Sequence, residues 1–108
     1  MMKYSEKTPK EVESLINGNE KVILLDIREK WEYDICHIKN SLNIPMGELW
    51  FRFSEFDKSD LYVLICHLGI RSRMIGKHLS SIGFKNIINL STGVNGWANE
   101  IEHTMEKY

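Results

Sequence analysis

The chain has 108 residues, of which 43% are hydrophobic and 27% charged, and its formal net charge is -1. That length suits one domain spanning residues 1–108, with enough apolar residues for a packed core. The balanced charge gives no field favouring nucleic acid, and no apolar run approaches the ~20 residues that a membrane span needs.

The first residues, MMKYSEKTPKE, contain no hydrophobic stretch of the signal-peptide kind, so the expected compartment is the cytoplasm. Thr8-Pro9-Lys10-Glu11 predicts a helix start. Thr8 can cap, Pro9 suits the first helical position, and Glu11 can close a capping box. Val12, Leu15 and Ile16 give that helix one apolar face, and Gly18 stops it. Lys21 to Ile27 reads as a strand covered on both faces. Glu29 to Cys36 predicts a short helix with Trp31, Tyr33 and Ile35 partly buried. Leu42 to Ile44 predicts a short strand closed by Pro45, and Glu48 to Phe53 a helix turning Leu49, Trp50 and Phe53 inward.

Leu61 to Cys66 is a second buried strand, followed by a loop containing Gly69. Met74, Ile75, His78, Leu79 and Ile82 have helical spacing between Ser72 and Ile82, and Gly83 ends that helix. Asn86 to Leu90 is a third strong strand. A turn at Ser91-Thr92-Gly93 leads into a helix from Val94 to Ile101 that holds Trp97. The last seven residues, EHTMEKY, read as a frayed end. Strands alternating with helices predict an α/β domain with a mostly parallel sheet. Such sheets bind ligands beyond the carboxyl ends of their strands. Asp26, Cys66 and Leu90 to Gly93 all fall at such ends, so the charged pair Asp26 and Arg28 is expected to border a site.

Cys66 is the candidate nucleophile. It ends a buried strand, and a short loop then enters a helix near Ser72. A curled loop at a helix N-terminus points backbone N–H groups inward, a setting that favours a thiolate. Arg71 and Arg73 add positive charge. The competing reading is an inert core cysteine. Spacing separates two chemistries. Cysteine phosphatases carry an arginine six residues after the nucleophile, but that position here is Ser72, flanked by Arg71 and Arg73. The loop is one residue short for tetrahedral phosphate or arsenate. It suits a smaller group, such as a single sulfur on the cysteine.

Four segments in order resemble the rhodanese (sulfurtransferase) family in its single-domain form, from about Tyr4 to Ile101. They are LLDIREKWEYDICHI, SLNIP, CHLGIRS and LSTGVNGW. The resemblance implies a single rhodanese-like α/β domain with a central, mostly parallel sheet of about five strands and helices on both faces. It implies that Cys66 accepts sulfane sulfur as a persulfide and passes it on. It also implies that His67, Leu68, Gly69, Ile70 and Arg71 form the loop around that sulfur, that Ser72 opens the next helix, and that Asp26 and Arg28 border the site. The donor would be thiosulfate, as a small anion, or a persulfidated thiol. The acceptor would be cyanide, a thiol or a protein, and no cofactor is required.

Three residues depart from the family pattern: Cys36 and Thr92 stand where glycine is usual, and Leu68 where thiosulfate-preferring members often carry a basic residue. Two Cys-His dipeptides, Cys36-His37 and Cys66-His67, offer zinc-type ligands but lack zinc spacing, and no metal is expected. The alternatives to a sulfurtransferase are a non-catalytic protein-binding module on the same fold and a cysteine phosphatase or arsenate reductase. Oligomeric state has no signature in the sequence.

Overall fold

A computed structural model describes residues 3–108. Five strands form one sheet: β1 (Lys3–Lys7), β2 (Val22–Asp26), β3 (Leu42–Asn43), β4 (Leu61–Ile65) and β5 (Asn86–Leu90). Their order is β1-β5-β4-β2-β3, and every pairing is parallel. The helices are α1 (Pro9–Ile16), α2 (Lys30–Ile35), α3 (Met46–Leu49), α4 (Ile70–Ser81) and α5 (Gly93–Glu100), with a 3₁₀ turn at Phe53–Glu55. The α/β class and the parallel five-stranded sheet agree with the sequence expectation.

Strand alternation divides the core. Val63 and Ile65 of β4 face one layer with Val12 of α1 and Val94, Trp97 and Ala98 of α5. Tyr62 and Leu64, with Cys66 just beyond the strand, face the other layer with Leu49 of α3 and Ile75 and Leu79 of α4. Cys66 therefore emerges on the α4 side. The Thr8 capping box forms as expected: Glu11 N–H donates to Thr8 Oγ1 at 3.2 Å, and Thr8 N–H donates to the Glu11 carboxylate at 2.9 Å.

Several local expectations are corrected. β1 is a strand although KYSEK reads as polar; it is an edge strand held by its backbone pairing to β5. α2 begins at Lys30, and this register turns Glu32 inward while Trp31 stays 62% exposed. Trp50 and Met74 are also exposed. The last residues are folded back onto the domain: Met105 enters the α1/α5 layer, and the Tyr108 ring stacks on His67 with centroids 4.0 Å apart.

Candidate active site around Cys66

Because all five strands are parallel, the loops after β2, β4 and β5 lie at one end of the sheet. The loop after β4 is held from behind by α5. Val94 N–H donates to the Cys66 carbonyl at 2.9 Å, and Asn95 N–H to the His67 carbonyl at 3.1 Å. With those carbonyls bound outward, later amides turn toward the sulfur. Gly69 N–H donates to Cys66 Sγ at 3.1 Å and Ser72 N–H at 3.4 Å, and Ser72 Oγ lies 3.1 Å away.

Two glycines make this curl possible. Gly69 has φ 93°, and a β-carbon there would sit 2.1 Å from the Ser91 carbonyl oxygen. Gly93 has φ 62°, and a β-carbon would meet the His67 carbonyl oxygen at 2.3 Å. The two departures from the glycine pattern are accommodated. Cys36 is extended at φ -162° and Thr92 lies at φ -113°, so neither occupies the left-handed region.

Cys66 is 1% exposed and lies at the floor of a depression of about 280 Å³ walled by His67, Leu68, Ile70 and Arg71. Leu68 and Ile70 present apolar surface at its mouth. The Arg71 guanidinium is not free to act as an independent cation. Its two terminal nitrogens donate to the Glu32 carboxylate at 3.0 and 2.9 Å. Arg73 is likewise paired, with Glu6 at 3.1 Å. Burial would raise the Glu32 carboxyl, but donors from Arg71, the Glu29 amide and Tyr108 outweigh it and hold the group at about 2.

Asp26 and Arg28, expected to border the pocket, are instead wholly buried and outside its wall. Residues two apart on an extended chain project to the same side, so the carboxylate and guanidinium meet directly. Arg28 Nε donates to Asp26 Oδ1 at 2.9 Å and Nη2 to Oδ2 at 2.7 Å. The remaining donors reach the Cys36 carbonyl at 2.7 Å, the Glu32 carbonyl at 3.2 Å and the Tyr108 hydroxyl at 3.0 Å. Burial opposes the charge on Arg28, but Asp26 and Tyr108 hold it more firmly than an ordinary arginine. The pair thus clamps α2 and the tail, and reaches the site only indirectly, through Glu32 and Arg71.

Sequence reasoning missed three residues. Glu32 reads as a solvent-facing helix residue until Arg71, distant in sequence, closes on it. Tyr108 donates to Glu32 at 2.9 Å and burial pushes its hydroxyl up to about 12. Asn89 lies within an apolar strand and contacts Ser72. The apolar character of Met105 and Tyr108 in an otherwise polar tail was the available clue to the docked end.

The family model for the rhodanese-like domain matches residues 8–100. The chain belongs to the rhodanese-like domain family. A Bacillus subtilis protein named as a sulfur carrier is 36% identical over 87 residues, covering 81% of this chain but 47% of its own length, so the chain spans about half of that relative. A second Bacillus subtilis protein, named as a sulfurtransferase, is 31% identical over 99 residues, covering 92% of this chain and 95% of its own. Among solved structures, a rhodanese-related protein from Thermoplasma volcanium superposes with TM-score 0.81 at 28% identity, covering 91% of this chain and 94% of that one. No helix among the described residues is long and apolar enough to cross a membrane.

Proposed function

We propose that this chain is a sulfurtransferase in which Cys66 carries sulfane sulfur as a persulfide. The Cys66 thiolate attacks the outer sulfur of a donor persulfide. The donor's sulfur–sulfur bond breaks, its thiolate leaves, and the charge resides on the new outer sulfur of Cys66. A nucleophilic acceptor, a thiol or cyanide, then takes that sulfur and returns the Cys66 thiolate. The transfer involves no net oxidation. The observation that carries this reading is the curled loop placing two amide donors on a buried thiol. Helix geometry leaves the Ile70 and Arg71 amides without intrahelical partners, so they are available as backbone donors for a second sulfur.

A thiol persulfide is the preferred donor over thiosulfate. The depression is largely apolar, and its arginine already shares its charge with Glu32. A dianion would have to displace that pairing, whereas a persulfide brings one charge and an organic group that suits Leu68 and Ile70. Sulfur transfer to cyanide should therefore run faster from glutathione persulfide than from thiosulfate at equal concentration, and be absent in Cys66→Ser. Faster transfer from thiosulfate would overturn the donor assignment. Full activity in Cys66→Ser would overturn the function.

A further inference from the structure

Behind Cys66 lies a buried chain of polar groups whose hydrogen-bond directions are fixed by chemistry. Asn89 and Ser72 are both wholly buried, so no solvent supplies a missing partner. The Asn89 amide nitrogen faces the Glu6 carboxylate at 2.8 Å and the Gly69 carbonyl at 3.1 Å. A carbonyl accepts only. Burial would raise the Glu6 carboxyl, but donors from Tyr4, Arg73 and Asn89 hold it below the usual carboxylate range, so it too accepts only. The NH₂ end of Asn89 must therefore point that way, and its oxygen must face Ser72. An amide oxygen cannot donate, so the single hydroxyl hydrogen of Ser72 goes to Asn89. Ser72 Oγ is left with lone pairs toward Cys66 Sγ, 3.1 Å away. The hydrogen in that contact can come only from the thiol.

We propose that Asn89 is a positioning residue for the reacting sulfur: it turns the Ser72 hydroxyl into an acceptor for the Cys66 thiol, so ionising Cys66 requires that hydroxyl to swing from Asn89 to sulfur. The swing gives the thiolate a third donor after the Gly69 and Ser72 amides, but leaves the Asn89 oxygen without a partner. The amide cannot flip to compensate, because its oxygen would then face the Glu6 carboxylate and the Gly69 carbonyl. In the persulfide the charge sits on the outer sulfur, and the hydroxyl stays with Asn89. The bare thiolate is thus the one state that breaks the chain. The charged groups around Cys66 are Arg71 and Arg73 of α4, each paired with a carboxylate, while His67 lines the depression and stacks on Tyr108. The inference rests on Cys66 being the reacting thiol, and its test does not require sulfur transfer.

Asn89→Leu removes the acceptor at similar volume. Gly69's carbonyl keeps the Arg73 amide at 3.2 Å, so the loop retains a bond there. At a pH where the parent thiol is mostly protonated, the variant should show more far-ultraviolet thiolate absorbance. It should react with iodoacetamide about five-fold faster, the factor corresponding to one net hydrogen bond. In a Ser72→Ala background the same substitution should give no gain. No acceleration in a folded Asn89→Leu protein would overturn the proposal, as would an equal gain without the Ser72 hydroxyl, which would indicate a loosened loop. A second readout uses the parent protein. Its infrared S–H band, identified by loss in Cys66→Ser, should be that of a hydrogen-bonded donor and shift upward in Ser72→Ala. A free S–H band in the parent would also overturn it.

Discussion

The loops after β2 and β4 leave neighbouring strands at the same end of the sheet, yet they are built in opposite ways. The end of β2 and the loop after it carry full charges, Asp26 and Arg28, and seal them from solvent with side-chain and carbonyl partners. The β4 loop surrounds one sulfur with backbone amides and opens it to an apolar depression. A cation that is wholly buried and fully bonded is poor at capturing a changing ligand. Backbone amides at a helix start can serve a thiolate and a sulfur-loaded thiol alike, because they need no rearrangement. The first loop is built for rigidity and the second, on the proposed function, for chemistry, with the Glu32–Arg71 pair joining them.

The comparison breaks most severely at Arg28. Arg28→Met leaves Asp26 as an uncompensated buried charge, a loss of about 3–5 kcal/mol. That is a large share of the roughly 5–15 kcal/mol that holds a domain of this kind together. Denaturant unfolding should show the loss, while protein that remains folded should still alkylate at Cys66. Gly69→Ala should do the reverse in emphasis. A left-handed alanine costs about 1–2 kcal/mol, and its β-carbon collides with the Ser91 carbonyl. The loop must shift, so sulfur loading should fall by more than ten-fold in a protein that still unfolds cooperatively.

The smallest effect concerns the bridge. The Glu32 carboxyl is held at about 2 in the folded protein, below its ordinary value of 4.5. A carboxyl depressed on folding contributes stability above its unfolded value and loses it as pH falls through the folded one. The parent should therefore lose stability between about pH 4.5 and 2, and Glu32→Gln should flatten that part of the curve. An unchanged acid slope in the variant would separate Glu32 from the stability of the site.

The two loops also differ in how well the sequence discloses them. The β4 loop is local: strand, Cys66, Gly69 and helix follow within a few residues, and the arginine spacing argues against a phosphate loop. The role of the β2 pair was only half legible. Adjacent charges at a strand end signal something unusual, but whether they face solvent, ligand or each other depends on Glu32, Cys36 and Tyr108 closing around them. The same holds for β1, whose polar residues carry no strand pattern and whose place comes from backbone pairing with β5. Asn89 was hidden because a buried polar residue in an apolar strand looks like part of the core until its partners are known.

The most direct test of the account is the intact mass of the protein after incubation with glutathione persulfide, with Cys66→Ser treated in parallel. The parent should gain one sulfur atom and the variant none, and cyanide should release that sulfur as thiocyanate. A folded parent whose Cys66 alkylates normally but gains no sulfur would contradict the proposed function.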